Sequence, residues 1–161
     1  MTGQPACDEE EYRRAAEAAA KMLARRPLSA AMLQKKLRDK QFCEQAADYA
    51  AERMRVLGAI DDAAFAELVV RSYARKGCGI LRIRQELRAR GVSDADAAAA
   101  LEEFEPNQEK MLALLDRRLR GDLSDRRECE KAMAALQRRG FTYSEIREAM
   151  EAYRLQSAEN Q

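Results

Sequence analysis

Hydrophobic residues recur along most of the chain at intervals of three and four positions, the period of one face of an α-helix. The first such stripe contains Tyr12, Ala15, Ala16, Ala19, Met22 and Leu23. No segment alternates with a period of two, so we predict no strand. The pattern predicts helices near residues 9–26, 29–39, 44–57, 62–76, 80–90, 94–104, 108–120, 125–139 and 143–154.

Three short segments repeat one another, and each has a leucine, a basic turn and an apolar residue. They cover residues 37–42, 87–92 and 136–141, so their leucines are offset by 50 and 49 positions. Such a period is typical of stacked helical units, which bury their stripes only when neighbours pack together. We therefore predict an all-α fold of three tandem three-helix, helix-turn-helix-like repeats that form an elongated, curved molecule.

The predicted repeats comprise residues 1–58, 59–106 and 107–161. We expect disordered residues at the N-terminal end of the first repeat and a polar tail at the end of the third. We call the middle repeat the basic one for its segment 71–91; over residues 59–106 it carries seven basic and nine acidic side chains.

Two of the three repeated segments have glycine as their fifth residue, and each of these two is followed by a helix start. Ser93 and Thr142 follow the glycine by two positions, and an acid stands three residues later, at Asp96 and Glu145. This spacing predicts capping boxes, in which the hydroxyl and the carboxylate satisfy free amides at the start of the helix. Gly91 and Gly140 would then end the preceding helices in a left-handed conformation.

The first repeat departs from this pattern at two positions. Gln41 stands where the other copies have glycine, and Cys43 stands where they have the hydroxyl cap. We therefore expect this corner to be looser or longer than the other two.

Composition limits the class of protein. The 161 residues are 47% apolar and 35% charged, with 29 basic and 28 acidic side chains. No stretch reaches the roughly 20 apolar residues of a membrane span, and the start lacks a signal-peptide pattern. We expect a soluble, cytoplasmic chain that is a monomer and has no membrane partner.

The sequence lacks the chemistry of most enzymes. It has no histidine, the usual general base near neutral pH and the commonest metal ligand. Its four cysteines have no C-x-x-C pair, so we interpret them as separate structural thiols and expect no metal, no cofactor and no catalytic residue. They are Cys7, Cys43, Cys78 and Cys129.

Two local patterns resemble a phosphate-binding loop and a catalytic carboxylate pair, but each has a simpler structural interpretation. Gly77 and Gly79 lie before a helix, but no preceding strand or G-x-x-x-x-G-K-[ST] motif makes them a phosphate loop. We interpret them as helix-end residues. The neighbouring acids Asp61 and Asp62 resemble a carboxylate pair, and we assign Asp62 as a helix N-cap.

Charge is distributed unevenly despite the near-zero total. Residues 71–91 carry seven basic side chains and one acidic one, whereas residues 92–109 carry six acidic side chains and no basic one. Cations near helix C-termini on a solvated face are one interpretation. Because the cluster exceeds what helix ends need, we favour a surface for a phosphate-rich or acidic partner.

Three segments resemble the RecX family. They are the run from Leu57 to Ala66, the run from Lys76 to Leu87, which is similar to a G-x-G-x-x-R-I-x-x-E-L motif, and Arg138–Phe141. The resemblance implies tandem three-helix repeats and a modulator, usually an inhibitor, of the RecA recombinase. Such a protein binds the groove of the RecA filament on single-stranded DNA, impedes its growth or stability, and reduces strand exchange and the SOS response without catalysis.

The resemblance also divides the middle repeat into contact and structural residues. The candidates for contact with the filament are Arg71, Arg75, Lys76, Arg82, Arg84, Arg88 and Arg90. The residues assigned to capping and packing are Asp62, Phe65, Gly77, Gly79, Ile83, Leu87 and Gly91. Charge reversal at Arg82 and Arg84 is expected to abolish binding while helicity is kept.

Two alternatives stay open at this point. The chain could be a general nucleic-acid-binding module of the helix-turn-helix type that contacts single- or double-stranded DNA without RecA. A steep salt dependence on naked DNA would favour it. A purely structural helical scaffold is the other alternative.

Overall fold

The computed structural model describes residues 7–161, which fold into nine α-helices and no strand. The predicted all-α class is confirmed. The expected disorder at the N-terminal end falls mainly on residues 1–6, outside the described residues. The helices are α1 (Glu9–Arg25), α2 (Ala30–Asp39), α3 (Glu44–Val56), α4 (Asp62–Arg75), α5 (Ile80–Ala89), α6 (Asp94–Leu101), α7 (Gln108–Leu119), α8 (Arg126–Arg138) and α9 (Tyr143–Glu159). None of these helices is long and apolar enough to cross a membrane.

Two helices differ from the prediction by more than two residues at one end. α6 ends at Leu101 instead of 104, because acidic residues at 102, 103 and 105 oppose the negative helix C-terminus and Pro106 disfavours helix before it. α9 continues to Glu159 instead of 154, since no glycine or proline follows Tyr153 to stop it.

The packing divides the chain into two compact units. Among the described residues, the first unit comprises 7–66 and 87–99, and the second comprises 67–86 and 100–161. Helices α4, α5 and α6 therefore contribute to both units. The predicted boundaries of three repeats, after residues 58 and 106, stay a prediction.

The core of the first unit is built largely from small side chains. Ala15 and Ala19 of α1 and Ala46 and Ala50 of α3 are fully buried, so the two helix backbones pack closely. Leucines of α2, together with Leu28 and Ile60, fill the remaining space. Loss of a methyl group destabilises such a core, because close-packed interiors have few voids.

The core of the second unit is built from larger side chains of α7, α8 and α9. Leu115, Leu136 and Phe141 are almost completely buried there. Tyr153 of α9 donates its hydroxyl hydrogen bond to Asp116 Oδ1 at 2.9 Å and accepts the Gly121 N–H at 2.8 Å. Burial of this phenol raises its pKa, and the ring fixes the last helix to α7.

The three repeated segments form the same turn. In each, the amide of the apolar residue donates to the carbonyl of the leucine five positions earlier: Phe42 to Leu37, Val92 to Leu87 and Phe141 to Leu136. This is the Schellman arrangement that ends a helix. The expectation that the first corner is looser or longer than the other two was therefore wrong.

Gln41 and Cys43 replace glycine and hydroxyl at the first corner without changing its length. Gln41 adopts the left-handed conformation, with φ 72°. Cys43 acts as the N-cap of α3, since its Sγ accepts the Ala46 N–H at 3.3 Å. Its own amide donates to Glu11 Oε1 of α1 at 2.8 Å, which holds the corner against the first helix.

The predicted capping boxes form to different extents. Thr142 and Glu145 make the complete box at the start of α9. At the start of α6, Ser93 Oγ accepts the Asp96 N–H at 3.1 Å, but the return bond from Asp96 is missing among the described residues. The aspartate side chain is one methylene shorter than glutamate, which limits its reach back to the cap.

The start of α4 corrects the assignment of Asp62 as its N-cap. Asp61 is the cap, because its Oδ1 accepts the Ala64 N–H at 3.1 Å. Asp62 is the first residue of the helix, and its Oδ1 accepts the Ala30 N–H at 3.0 Å. Asp62 therefore satisfies an amide at the start of α2, 32 residues away in sequence.

A first joint, defined by Ser29, Ala31, Arg90 and Gly91, lies within the first unit. The hydroxyl of Ser29, which is fully buried, donates to the Arg90 carbonyl. The same oxygen accepts the Met32 N–H at 3.1 Å and so caps α2. A Cβ at Gly91 would overlap the methyl group of Ala31, so the start of α2 lies directly against this turn.

A second joint, defined by Gly79, Leu81, Arg139 and Gly140, lies within the second unit. The Gly79 amide donates to the Arg139 carbonyl at 2.8 Å, and the Leu81 amide donates to the Gly140 carbonyl at 3.0 Å. A Cβ at Gly79 would overlap the backbone of Gly140, and one at Gly140 would overlap the backbone of Arg82. The start of α5 thus packs against the α8–α9 turn backbone to backbone.

Candidate binding surface

The seven predicted contact residues are largely accessible. Arg90 is half-buried, and the other six side chains are exposed. Arg71, Arg75, Lys76, Arg82 and Arg84 belong to the second unit, whereas Arg88 and Arg90 belong to the first.

The last turns of α4 present three cations. Arg71 and Arg75 are one helical turn apart, so they share a face of the helix. Neither forms an ion pair with a carboxylate of residues 7–161, and the same holds for Lys76 just beyond the helix. The Lys76 ammonium lies 4.5 Å from the centroid of the Tyr73 ring, a cation–π contact that orients this side chain without neutralising it.

The two arginines at the start of α5 differ from each other. Arg82 forms an ion pair with Glu86 at 2.9 Å, one turn further along the helix. Arg84 is exposed and forms no ion pair within the described part of the chain. Charge reversal at Arg82 therefore also breaks a local pair, whereas reversal at Arg84 changes the surface charge alone.

In the first unit, Arg88 is exposed, whereas Arg90 takes part in the first joint through its carbonyl group. Because the side chain of Arg90 is half-buried, substitution there would act on packing as well as on charge. Arg88 is the better candidate for a contact in this unit.

The structure adds Lys110 and Arg139 to the candidates of the second unit. Arg139 Nη1 donates to the Lys76 carbonyl at 3.2 Å. A Cβ at the buried Gly77 would lie 3.2 Å from Lys110 Cδ and 3.5 Å from Arg139 Nη1, so both side chains cross this glycine. Both are exposed and form no ion pair inside the described range. We call Lys76, Lys110 and Arg139 the Gly77 cluster.

Sequence reasoning missed two members of this cluster because they lie outside the middle repeat. The repeat register contained a signal for one of them: Arg139 stands 49 positions after Arg90, directly before the repeated glycine. Lys110 has no such equivalent, and only the fold brings it to Gly77.

The residues assigned to capping and packing lie inside the structure or in its turns. Phe65, Ile83 and Leu87 are buried. Gly77 and Gly91 have φ values of 78° and 71°, which only glycine adopts without strain. The other two, Gly79 and Asp62, make the joint and cross-helix contacts described above.

The interpretation of the cysteines as four separate thiols was wrong for two of them. Cys7 and Cys43 form a disulfide; they are 36 positions apart in sequence, and their Cα atoms are 6.7 Å apart. Glu11 lies beside the two sulfur atoms, so the three groups could together hold a metal ion if the disulfide were reduced. Cys78 and Cys129 are free and half-buried.

Two parts of the chain match known protein families. Residues 61–101 match the description "RecX, second three-helix domain", and residues 105–150 match "RecX, third three-helix domain". The two matches include the segments that carry the candidate contact residues of the second unit.

Several curated proteins are similar over most of their length. A protein named "Regulatory protein RecX" from Halorhodospira halophila is 37% identical over 84% of this chain and 86% of its own. One with the same name from Thermobifida fusca is 34% identical over 93% of this chain and 86% of its own.

Two solved structures share the fold. A crystal structure of RecX from Lactobacillus salivarius has a TM-score of 0.81 at 22% identity, covering 91% of this chain and 98% of that one. A second crystal structure, of a regulatory protein RecX, has a TM-score of 0.78 at 23% identity, covering 94% of this chain and 81% of that one.

Proposed function

The chain belongs to the RecX family, and on that premise we propose that it regulates the RecA recombinase as an inhibitor. It binds the RecA filament on single-stranded DNA and impedes the growth or stability of that filament. Recombination and the SOS response are reduced as a result. The chain acts in the cytoplasm as a monomer and without catalysis.

One observation carries this proposal: the second unit exposes cations that no carboxylate of the described chain neutralises. Among them are the exposed cations of α4 and α5 and of the Gly77 cluster: Arg71, Arg75, Lys76, Arg84, Lys110 and Arg139. Unpaired exposed cations attract polyanions such as DNA. When lysine and arginine side chains bind the phosphates, the counterions condensed on the DNA are released, which favours binding. A filament that combines DNA with protein offers phosphates and acidic side chains together.

Two of these cations, Lys76 and Arg139, are held in place by contacts within the chain, which supports a specific contact over diffuse attraction. The Gly77 cluster is tied to the backbone by the Arg139 hydrogen bond and is oriented by the Tyr73 ring. Arg71, Arg75 and Arg84 project from regular helices. Side chains held in place lose less conformational freedom on binding, so more of the electrostatic attraction is kept.

A general nucleic-acid-binding module is the second candidate function. It is favoured by the exposed arginines of α5, a helix that follows a turn and could approach a DNA groove. Gln85 is the one amide side chain on this helix, so few groups are available to read bases.

The test is to add the purified chain to RecA that has already assembled on single-stranded DNA and to follow ATP hydrolysis by the filament. We expect hydrolysis to fall at substoichiometric amounts of the chain, as filaments are capped or shortened. Binding to the same DNA without RecA is the control. Unchanged hydrolysis and filament length, with salt-sensitive binding to bare DNA, would contradict RecA regulation and favour the second candidate.

A further inference from the structure

A pocket of about 440 Å³ lies in the first unit, where the C-terminal ends of α1 and α2 meet the connection between them. Its floor is apolar and consists of Leu28, which is 3% exposed, and the half-buried Met22. We call it the Leu28 pocket. It lies outside residues 61–101 and 105–150, which match the family descriptions.

Four cations surround this floor: Arg25 and Arg26 at the end of α1, and Lys36 and Lys40 at the end of α2. None forms an ion pair with a carboxylate in the described range 7–161. Asp39, the one acid among the described lining residues, already forms an ion pair with Lys35 at 3.2 Å. The rim therefore keeps a positive charge, in contrast to other surface cations such as Arg13 and Arg55, which pair with a glutamate three residues away.

Stabilisation of helix ends does not account for all of this charge. Each helix C-terminus carries a partial charge of about −0.5, so the ends of α1 and α2 together offset roughly one cation. Asp39 is shared with Lys35 and offsets less than one more. A positive surplus of about two charges remains beside an apolar floor.

The combination of an apolar floor and a cationic rim defines the ligand. Arginine binds carboxylates through paired hydrogen bonds, and lysine adds a point charge. The methionine and leucine of the floor accept one apolar side chain of varied shape. None of the described residues that line the pocket is aromatic, so a nucleobase would find no ring among them on which to stack.

We propose that the Leu28 pocket binds a short acidic peptide segment of a partner protein. One apolar side chain of that segment lies on Leu28 and Met22, and flanking carboxylates bind the four rim cations. This contact is separate from the cations of the second unit and does not depend on the proposed regulation of RecA.

The experiment measures binding of a fluorescein-labelled peptide, Glu-Asp-Leu-Glu-Asp, to the full chain by fluorescence anisotropy, without RecA or DNA. Two further peptides separate the contributions: Gln-Asn-Leu-Gln-Asn lacks the charges, and Glu-Asp-Ser-Glu-Asp lacks the apolar side chain. We expect the first change to weaken binding at least about tenfold and the second about fivefold, the loss from one apolar contact.

Variants of the chain then locate the site. Arg26→Glu and Lys40→Glu should each weaken binding of the acidic peptide about tenfold, because reversal repels the carboxylates. Arg14→Glu is the matched control, since Arg14 is an exposed cation of α1 outside the pocket. Circular dichroism checks that each variant keeps its helices.

Three results would overturn the proposal. One is equal binding of the charged and uncharged peptides. Another is an equal loss of affinity in the Arg14→Glu control, which would indicate attraction to net charge alone. The third is tighter binding of an oligodeoxythymidylate with the same number of negative charges, lost in the same two variants, which would assign the pocket to nucleic acid.

Discussion

The first and second joints bring equivalent backbone positions together by different chemistry. In the first, the Ser29 hydroxyl donates to the Arg90 carbonyl, and in the second the Gly79 amide donates to the Arg139 carbonyl. Ser29 and Gly79 are 50 positions apart, the offset of the first two repeated segments. A side-chain donor therefore replaces a backbone donor at the same place in the repeat.

This difference determines which positions tolerate a side chain. At the first joint, the space above Gly91 is filled by the methyl group of Ala31, a side chain that can be removed. At the second joint, the space above Gly140 is filled by the backbone of Arg82, which cannot. Equivalent glycines should therefore respond differently to the same substitution.

The largest effect is expected for Gly140→Ala. The substitution adds the strain of a residue at φ 92° to an overlap with backbone atoms. We expect the free energy of unfolding to fall by about 3 kcal/mol or more, combining roughly 1–2 from the conformation and roughly 1–3 from the overlap. Urea denaturation measures the loss.

Gly121→Ala is the matched control in the same unit, because Gly121 has φ 80° and no atom within 4 Å of its added Cβ. It should lose only the conformational part, about 1 kcal/mol. Equal losses in the two variants would contradict the backbone contact at the second joint.

Gly91→Ala should cost about 2 kcal/mol, because its Cβ overlaps only the Ala31 methyl group. In an Ala31→Gly background the extra loss should shrink to about 1 kcal/mol, the conformational part, although Ala31→Gly itself weakens α2. The double-mutant cycle is measured by urea denaturation with Gly58→Ala as the control, since Gly58 has φ 77° and open space around it. Additive losses would show that the two residues do not touch.

Ser29→Ala should lower the free energy of unfolding by about 1–2 kcal/mol. It removes the cap of α2 and leaves the Arg90 carbonyl without its hydroxyl donor. Ser93→Ala removes a cap that makes no joint contact and is the control. Thermal or urea denaturation measures the loss. If Ser29→Ala lowers the free energy of unfolding no more than Ser93→Ala does, the hydrogen bond from Ser29 to Arg90 adds nothing beyond the helix cap.

The smallest effect is expected for Asp62→Ala, about 0.5–1 kcal/mol, because the half-exposed Ala30 amide can exchange the lost carboxylate for water. Among residues 7–161, no carboxylate accepts an amide of the second joint in this way, so the effect is specific to the start of α2. Hydrogen exchange of the Ala30 amide provides the measurement. Faster exchange at Ala30 is expected, and unchanged protection would contradict the contact.

The periodic features of the chain were predictable, and the contacts between distant segments were not. Helix positions follow from local hydrophobic spacing, and the glycine of two of the three turns is visible in the repeat. The pairing of Cys7 with Cys43 and the placement of Lys110 over Gly77 depend on how helices pack, which no local pattern encodes. The same holds for Asp62, whose amide partner is 32 residues away.

The candidate site was predictable as a charged segment but not as a surface. From the sequence alone, the seven cations are equally good candidates for contact. In the described part of the structure, Arg82 forms an ion pair with a carboxylate and Arg84 does not. Ion pairing depends on side-chain positions one helical turn apart and on which rotamer is adopted. Exposure of each cation likewise depends on the helices that pack nearby.

The central claim is that the unpaired cations of α4 and α5 and of the Gly77 cluster bind the RecA filament. The most direct measurement compares the affinity of Arg84→Glu and Arg118→Glu for RecA assembled on single-stranded DNA, since both residues are exposed cations of this unit and only Arg84 is a candidate contact. The account predicts that Arg84→Glu weakens binding at least about tenfold, or 1.4 kcal/mol, with unchanged helicity, while Arg118→Glu changes it less than about twofold. Equal affinities of the two variants would contradict it.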